Sequence, residues 1–530
     1  MGGVFSSIKH VYVDLSAVIS EISQTKQSFD ALLSRVSTSI LPVPNPSKSF
    51  WQEHPPFPNL VDIQSPNLPA TADIVIIGSG ISGASVAYAL FKQSHKSANS
   101  VSPPKVVVLE ARNLCSGATG RNGGHIKCSP YLEYAGLRTR FGVTNAKKLL
   151  TFQRRHLAVI LDLVQKTEKL KISEAREVQT VDTFTDEKMW NDAKRMVQEL
   201  RQDVPDMAED IVVHEGIGAC EELGIDPQHC YGIITYKAGA LWPYRFVTAL
   251  YESLLSAYSS TFSIETNTPA TEIQVNSDDP RRPFTIHTPR GQITATHVVH
   301  ATDAFAANLL PGLKGKIFPV RGHMTAQEPG TLFPKLDGSR SWSFIHKRGF
   351  DYITQRPGTG GALMAGGGVV QSPEKGMDEF GIWRDDKSSY SISAYLHGLL
   401  PTIFGAHNWG PDNGTRIKMA WTGCMGFTPD LLPYVGILDP EFTQRIAPRS
   451  AKEGKQPAEW ISAGFQGEGM VLAWLSGIAV GLMLVGGEDE VFEEAPGVPG
   501  GKISEWLPPE LVCTKRRVDR SSVSDLAMLL

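Results

Sequence analysis

A glycine-rich turn near residue 80 has the residue types and spacing that bind phosphate. The run Gly78-Ser79-Gly80-Ile81-Ser82-Gly83 directly follows the apolar segment 73–77 and precedes a segment of helical character. In such a run the first glycine permits a tight turn, the second lets the backbone approach a pyrophosphate, and the third lets helix and strand pack closely. The phosphates lie at the helix N-terminus, where free N–H groups and the helix dipole attract anions. The pattern predicts a dinucleotide-binding βαβ unit.

An acidic residue, Glu110, ends the next predicted strand, which covers 105–109. A carboxylate at this position accepts hydrogen bonds from a ribose. Glu110 lies 32 residues beyond Gly78, later than the usual spacing of about 20 residues. The polar stretch 93–104 explains the excess as a surface insertion.

A second glycine-rich loop, residues 111–125, follows Glu110 and indicates a large flat ligand, because its glycines let the backbone approach closely. A nicotinamide-dependent enzyme needs no such loop. At this point the chain resembles the D-amino-acid-oxidase (DAO) superfamily of FAD-dependent oxidoreductases. Within that superfamily it is most similar to the amine-oxidising branch, which includes sarcosine oxidase-like and gamma-glutamylputrescine oxidase-like enzymes.

The resemblance extends over most of residues 70–485 and rests on several motifs in the family's order. The further matching segments are 237–245, 268–273, 297–304, 319–324, 351–356, 421–433 and 463–470. The resemblance implies FAD as the cofactor and a set of contacts to it. The implied contacts are Gly78, Ser79, Gly80, Ile81, Ser82, Gly83, Glu110, Ala111, Arg112, Ser116, Gly117, Ala118, Thr119, Arg121, Asn122, Gly123, Gly124, His125, Ala270, Thr271, Ala301, Thr302, Asp303, Gly464, Gln466, Gly467, Glu468, Gly469 and Met470.

The late glycine-rich loop differs from that of the sarcosine oxidase-like relatives. Those enzymes carry a basic residue soon after the loop that holds the substrate carboxylate, whereas 467–472 contains no Lys or Arg. By the resemblance, the helix starting near Gly469 directs its dipole at the pyrimidine edge of the flavin and favours its reduction. Glu468 favours a cationic or polyamine-like substrate over a small amino acid. Alternatively, Glu468 is an early-turn acid that caps the helix.

Two residues are candidates for covalent attachment of the flavin, which occurs in some relatives. Cys424 lies four residues before Thr428 of the late motif, but the surrounding pattern and register differ. An isolated cysteine usually behaves as a small buried apolar residue. His125 lies in the stretch where other relatives use a histidine, and the alternative for it is a contact in the core or at the ring edge.

Amine oxidation by a flavin requires the protein to orient the substrate and accept its proton, because the cofactor carries the hard step. The resemblance makes His323, Tyr352 and Arg356 candidate catalytic residues at the flavin face, together with Trp421. The alternative for such aromatic residues is a place in the core or pocket wall. No Ser/His/Asp constellation and no metal-binding pattern is evident.

Two basic residues have further candidate roles. Arg321 would pair with a carboxylate if the substrate is an amino acid. Lys347 is the nearest candidate for a positive charge that assists electron transfer to oxygen, although a single lysine is usually a solvated surface residue.

These features predict an FAD-dependent oxidase that acts on a C–N bond of an amine or amino acid and gives an imine and hydrogen peroxide. One alternative is an FAD-dependent dehydrogenase that passes electrons to a quinone or a carrier protein. Another is a flavin-binding scaffold tethered by its N-terminal helix. The substrate and the oligomeric state are not identified by the sequence.

The resemblance implies an α/β, Rossmann-like FAD-binding domain, discontinuous in sequence, and an α+β substrate domain with a mixed β-sheet. The predicted domains are 70–135, 235–310 and 421–486 for FAD, 136–234 and 311–420 for substrate, with an N-terminal helical segment 1–41, a Pro-rich connector 42–69 and a tail 487–530. The apolar spacing in 145–171 predicts a long helix.

The N-terminal segment carries apolar residues at heptad spacing, which places them on one face of a helix. They are Val4, Ile8, Val11, Leu15, Val18, Ile22, Phe29, Leu32 and Val36. We expect this face to dock on the protein's own body; pairing with another copy or lying on a membrane are the alternatives. The opening also fits the myristoylation pattern at Gly2, and one acyl chain gives only weak membrane attachment.

The composition of the 530 residues is that of a globular enzyme, with 41% hydrophobic and 20% charged residues. A net charge of −4 argues against a nucleic-acid partner. The six scattered cysteines predict no disulfide framework and a reducing, cytoplasmic location. No apolar run is long enough to span a membrane, and 474–485 is predicted to be a buried helix.

Overall fold

A computed structural model describes residues 26–93, 103–347, 349–358, 360–411, 416–449, 455–486 and 490–522. Its strands are β1 Thr71–Ile77, β2 Val106–Leu109, β3 His125–Ile126, β4 Arg176–Phe184, β5 Val212–His214, β6 Gly232–Ala240, β7 Phe262–Glu265, β8 Glu272–Val275, β9 Phe284–Thr288, β10 Gly291–His300, β11 Phe318–Gln327, β12 Arg340–His346, β13 Gly349–Gln355, β14 Leu363–Gly366, β15 Ile417–Phe427, β16 Tyr434–Ile437, β17 Ala458–Ala463, β18 Val491–Phe492 and β19 Gly501–Lys502. Its α-helices are α1 26–36, α2 Ile81–Gln93, α3 Pro130–Lys166, α4 Glu187–Asp203, α5 Ile217–Glu222, α6 Pro243–Ala257, α7 Tyr390–Trp409, α8 Pro440–Thr443, α9 Ala473–Val485, α10 Ile503–Trp506 and α11 Lys515–Arg520.

The first sheet has the strand order β16-β17-β10-β1-β2-β7, with the β8–β9 pair attached to β10. The strands from β17 to β7 run parallel, and β16 is antiparallel to β17. Residues 74–77 of β1 are all buried, as is typical of a parallel strand covered on both faces. The α2 and α9 helices pack together beside this sheet, and β8 and β9 share an apolar core with β1. This is the predicted Rossmann-like architecture.

The α9 helix is buried from Ala473 to Leu484, which confirms the prediction for 474–485. Within the described parts of the chain, no helix is both long enough and apolar enough to cross a membrane.

The second sheet has the order β15-β11-β14-β13-β12-β4-β6-β3, and β5 pairs with β6. Its neighbouring strands are antiparallel except for β12 and β4, so the sheet is mixed, as predicted. Two of its strands cross the predicted domain boundaries, since β6 begins at 232 and β15 begins at 417. Residues 235–240 and 421–427 therefore lie in the sheet of the substrate domain, although the sequence grouped them with FAD-binding segments.

The long α3 helix begins earlier than the apolar spacing predicts. It starts at Pro130, whose fixed φ suits a first helical turn, and its dihedral angles are interrupted at Gly142. That interruption breaks the apolar period, so only the part after it is evident in the sequence. The helix ends at Lys166, and a 3-10 turn covers Glu168–Ser173. The early part matters because it brings Glu133 to the functional site.

The described end of the N-terminal segment docks on the body of the protein, as predicted. Leu32 and Val36 of α1 are fully buried and share an apolar cluster with Phe318 and Val320 of β11. Arg35 fixes the helix from the side, donating from Nη2 to the Met377 carbonyl at 2.8 Å and from Nε to the Phe380 carbonyl at 3.0 Å. Phe29 of the same helix is partly buried. The stripe residues from Val4 to Ile22 and Gly2 lie outside the described residues.

We expect Leu32→Ala to lower the free energy of unfolding by about 2–4 kcal/mol, because it leaves a cavity between α1 and β11. Denaturant titration of the holoenzyme measures this loss. Ile40→Ala is the matched control, since Ile40 is 43% exposed, and it should change stability by less than about 0.5 kcal/mol. Equal effects of the two substitutions would contradict the docking of α1.

One cysteine pair forms a disulfide that the spacing does not predict. Cys220 in α5 and Cys230, just before β6, are bridged. Folding of α5 beside β6 brings them together, and ten positions of sequence separation alone carry no signal of this. Cys115, Cys128, Cys424 and Cys513 are free.

Candidate functional site

A cavity of ≈ 620 Å³ lies between the two sheets. Its first wall is formed by the turns after β1, β2, β10 and β17, all at the carboxyl ends of parallel strands, where α/β sheets bind ligands. Its second wall is formed by β11, β12, β13 and β15 of the other sheet. The topology thus brings eight elements, most of them distant in sequence, to one place.

Most of the predicted cofactor contacts line this cavity. They are Gly78, Ser79, Gly80, Ile81, Ser82, Glu110, Ala111, Arg112, Gly117, Ala118, Thr119, Arg121, Asn122, Gly123, His125, Ala270, Ala301, Thr302, Asp303, Gln466, Gly467, Glu468, Gly469 and Met470. The others do not line it. They are Gly83, Ser116, Gly124, Thr271 and Gly464.

The five residues outside the cavity have structural surroundings that explain their positions. Gly83 abuts the Gly78 carbonyl, so it serves the close packing of α2 on β1. Gly124 abuts the Leu241 carbonyl, and Gly464 donates its N–H to Asp303 at 2.9 Å. Thr271 is exposed and its hydroxyl bonds the His287 carbonyl. Ser116 is buried, behind the loop wall.

The phosphate-binding turn has the backbone shape that its glycines allow. Gly78 has φ +109°, and a Cβ there would lie 2.3 Å from the Ala301 carbonyl oxygen. The Glu110 carboxylate accepts from the Ser79 hydroxyl at 2.6 Å and from the Arg112 N–H at 2.9 Å. Oε2 also accepts from the Ser79 N–H at 3.2 Å, so these bonds hold the carboxylate at the cavity wall and leave Oε1 with a lone pair for a ribose hydroxyl.

The residues present fit a large ligand with many hydrogen-bonding groups. A Cβ at Gly117 would meet no atom within 4 Å, so the loop leaves open space at this point. Four residues that line the cavity have a buried polar atom without a hydrogen-bond partner among the described residues: Arg112 Nε, His125 Nε2, Thr302 Oγ1 and His323 Nδ1. Such groups require a partner. The fit to a dinucleotide cofactor is good, with 78–82 at the phosphates and Glu110 at the ribose.

A buried ionic cluster supports the second glycine-rich loop. Arg112 Nη1 and Asp385 Oδ1 are 3.0 Å apart, and Arg121 Nε lies 3.5 Å from Asp385 Oδ2. Arg121 also donates to the Thr422 carbonyl at 2.6 Å and to the Ser116 carbonyl at 2.9 Å. Burial lowers the pKa of Arg121 to about 10, and Asp385 opposes that shift. Both arginines therefore hold the loop shape as well as lining the cavity.

Asp303 joins three cavity-lining segments. Its carboxylate accepts from the N–H groups of Gly426 at 2.8 Å, Gly464 at 2.9 Å and Phe465 at 3.3 Å. Burial raises its pKa, and these backbone hydrogen bonds oppose the rise. The residue predicted as a cofactor contact thus positions the ends of β15 and β17 as well.

Two of the three catalytic candidates line the cavity. His323 on β11 accepts from the Ser389 N–H at its Nε2, at 3.0 Å. Burial, together with Arg321, lowers the pKa of His323 to about 3, so its ring is neutral at physiological pH. Tyr352 on β13 donates to Met324 Sδ at 3.1 Å and stacks on His125 with ring centroids 6.4 Å apart. Burial raises the pKa of Tyr352, so its hydroxyl stays protonated.

The third candidate, Arg356, lies outside the cavity, which corrects the prediction that it lines the flavin face. It follows the end of β13, where it pairs with Glu174 at 2.7 Å and stacks over Trp242 at 4.4 Å. Trp421 also lies outside, buried with its indole N–H donated to the Arg121 carbonyl.

The two other basic candidates are engaged elsewhere. Arg321 makes a bidentate pair with Glu379 at 2.7 and 3.0 Å, so it is not free to hold a substrate carboxylate. The Lys347 side chain is 75% exposed and lies 3.4 Å from Asp186, and it does not line the cavity.

Several cavity residues carry no signal in the sequence. Lys127 follows β3 and pairs with Asp182, whose other oxygen accepts from Tyr131 at 2.8 Å and Tyr236 at 2.7 Å. Glu133 lies in the first turn of α3 and lines the same cavity. An acid in a first helical turn is common, so only the fold shows that it lies near Glu468.

Burial and the neighbouring Glu133 raise the pKa of Glu468 from its ordinary value of 4.5 to about 8, while Lys127 opposes the rise. A raised carboxyl pKa means that the folded state keeps a proton that the unfolded chain releases above pH 4.5. The stability contributed by this proton is full below pH 4.5 and is lost as the pH rises through 8. Glu468→Gln removes that dependence.

We expect Glu468→Gln to be more stable than the wild type at pH 8–9, by about 1–3 kcal/mol, the cost of a buried polar group without a partner. Near pH 4.5 the two proteins should be equally stable. Urea unfolding of the apoproteins across this pH range measures the difference. A constant difference at all pH values would contradict the raised pKa.

The comparisons with known proteins agree with this site. Residues 73–481 match the family model described as DAO, FAD dependent oxidoreductase. A search of curated proteins finds no match to the sequence. Among solved structures, the chain is similar to glycine oxidase from Geobacillus kaustophilus at 19% identity, with a TM-score of 0.57, covering 81% of this chain and 98% of that one.

Two further structures have the same fold. L-proline dehydrogenase from P. horikoshii is 19% identical with a TM-score of 0.56, covering 78% of this chain and 94% of that one. L-amino acid deaminase from Proteus vulgaris is 15% identical with a TM-score of 0.57, covering 84% and 98%. The family match spans most of the chain and includes the first sheet from residue 73 onward, so FAD is the cofactor of this enzyme. The chain belongs to the DAO family of FAD-dependent oxidoreductases.

Proposed function

We propose that this enzyme is an oxidase of a C–N bond in an amine or amino acid, giving an imine and hydrogen peroxide. The observation that carries the proposal is the single cavity that joins the dinucleotide turn at Gly78 to a second-sheet wall containing His323 and Tyr352. A substrate held at that wall lies beside the cofactor site. The names of the similar structures, which include glycine oxidase and L-amino acid deaminase, favour this class of donor.

When bound, FAD supplies the hydride acceptor. The chain's own residues bind and orient the reactants. The turn Gly469–Val471 leads into α9 and meets the cavity at Gly469 and Met470, so the positive end of the helix faces the ligand and stabilises negative charge there. Tyr352, kept protonated by burial, can donate a hydrogen bond to a substrate. Neutral His323 forms part of the wall.

The free thiol of Cys424 lines the cavity, donates to the Ile382 carbonyl at 3.4 Å, and has a pKa raised by burial. Because a protonated thiol is a poor nucleophile, we propose that FAD is bound without a covalent bond. The visible spectrum before and after acid precipitation tests this. Flavin in the supernatant is the expected result, and colour retained in the pellet would show a covalent link, with Cys424 and His125 as the residues to mutate.

Peroxide detection with a panel of amines and amino acids tests the reaction. We expect at least one compound to bleach the flavin without air and to yield peroxide in air. Bleaching without peroxide would assign the enzyme to the dehydrogenases with another acceptor. A purified flavoprotein that no donor in the panel bleaches would overturn the proposal.

We propose a cytoplasmic location, with oxygen as the acceptor. The four free cysteines support a reducing compartment, whereas the Cys220–Cys230 bridge is more typical of an oxidising one. Cell fractionation of the full chain, with and without Gly2→Ala, tests both the location and the proposed weak membrane attachment.

A further inference from the structure

Two carboxyl groups face the same end of the cavity. Glu133 comes from the first turn of α3 and Glu468 from the turn before α9, and both line the cavity wall. Glu133 has one weak contact, with Gln153 Nε2 at 3.5 Å. The Glu468 carboxyl has no hydrogen bond or ion pair to any residue that the structure describes. A polar side chain of this kind, directed into a cavity, needs a partner that the protein does not supply.

The neighbouring cations do not balance this pair. Lys127 is the cation that acts on Glu468, but its ammonium is paired with Asp182 and hydrogen-bonded to Ser343. The other basic residues lining the cavity, Arg112 and Arg121, are paired with Asp385. Burial, with Lys127 adding to it, lowers the pKa of His125, so that ring carries no charge. The Glu133–Glu468 pair is therefore acidic and uncompensated at this end of the cavity.

The surrounding wall has room for a short apolar chain. Ile345 and Phe350 line the cavity together with Tyr352, so a chain of methylenes can pass them. The His125 Nε2 atom, buried and without a partner among the described residues, lies on the same wall. These features suit a ligand that is apolar in the middle and has nitrogen groups at its ends.

We propose that Glu133 and Glu468 bind the remote ammonium group of a substrate with two or more amino groups. This inference rests on the proposed function and names its substrate class. An ammonium supplies the missing positive charge, so Glu468 releases its proton on binding and both carboxylates accept hydrogen bonds from the ammonium. The amine to be oxidised must be neutral, and a diamine can lose a proton there while its far nitrogen stays charged. A substrate with a carboxylate at that end would be repelled by the two acids, and Arg321 is paired with Glu379 and not free to bind it.

Titration calorimetry of the holoenzyme with its flavin chemically reduced and oxygen excluded tests this, with butane-1,4-diamine, butylamine and 4-aminobutyrate as probes, because a reduced flavin cannot oxidise the probe during the titration. We expect the diamine to bind about tenfold more tightly than butylamine, which corresponds to one charge-assisted contact. We expect 4-aminobutyrate to bind weakest. Glu468→Gln should reduce the diamine's advantage to about twofold or less. Glu177→Gln, at an exposed position of β4, is the matched control and should leave the advantage unchanged.

Equal affinity for butylamine and the diamine, or tighter binding of 4-aminobutyrate, would overturn the inference, and neither comparison depends on a variant that folds. The flavin spectrum separates this outcome from failure of the proposed function. If the diamine binds more tightly but no amine bleaches the flavin, the oxidase proposal is overturned and the ammonium site is supported. If butylamine bleaches the flavin and the diamine binds no more tightly, the oxidase proposal is supported and the ammonium site is overturned.

Discussion

Replacing Gly117 with valine is expected to give a folded protein that has lost most of its affinity for FAD. Gly117 has an ordinary φ of −78°, and a Cβ there meets no protein atom within 4 Å. The added side chain therefore strains no backbone and enters space beside the cofactor. Overfilling a packed site costs about 1–3 kcal/mol, which corresponds to roughly 5- to 150-fold weaker binding.

Titration of FAD into the apoprotein, followed by quenching of flavin fluorescence, measures this loss. Circular dichroism should show unchanged secondary structure. Gly136→Val is the matched control, because Gly136 is an exposed position of α3 that also meets no atom within 4 Å. Unchanged FAD affinity in Gly117→Val would show that the second glycine-rich loop does not face the cofactor.

The largest loss of stability is expected from Asp385→Asn. Asp385 is the carboxylate shared by the buried guanidinium groups of Arg112 and Arg121. Removing its charge leaves two buried cations without compensation, and breaking a buried pair in this way costs about 3–5 kcal/mol. The loop 112–121 is held by these arginines, so FAD affinity should fall as well.

Denaturant unfolding and FAD titration measure both effects. Asp386→Asn is the control at the next position, since its partner Arg384 has a side chain that is 58% exposed. An exposed pair contributes about 0–1 kcal/mol. Similar losses from the two substitutions would show that the buried cluster is not what holds the loop.

The sequence predicts those site residues whose role can be recognised from the residues next to them in the chain. Gly78 and Gly80 occur between a strand and a helix, and Glu110 directly ends the next strand, so local pattern identifies all three. The α9 helix is predicted from its unbroken apolar run for the same reason. Each of these signals is contained in a few consecutive residues.

The remaining parts depend on contacts between distant segments, which no local pattern carries. Glu133 faces Glu468 only because α3 begins before the break at Gly142 and passes the turn before α9. Arg356 lies one position past the end of β13, and outside the cavity it pairs with Glu174 and stacks over Trp242. The pairing of Arg112 with Asp385 joins residues 273 positions apart. Charge and spacing within one segment do not distinguish such residues from surface ones.

The cavity between the sheets also links the amount of this enzyme in a cell to the supply of its vitamin-derived cofactor. The cavity wall is assembled from segments distant in sequence, and Asp303 holds two of them, the ends of β15 and β17, by backbone hydrogen bonds. A ligand that binds only the native state stabilises it by mass action. In riboflavin shortage the empty protein therefore opens more often and is degraded faster. Steady-state abundance of this enzyme should then follow dietary or biosynthetic flavin supply, with no change in its synthesis.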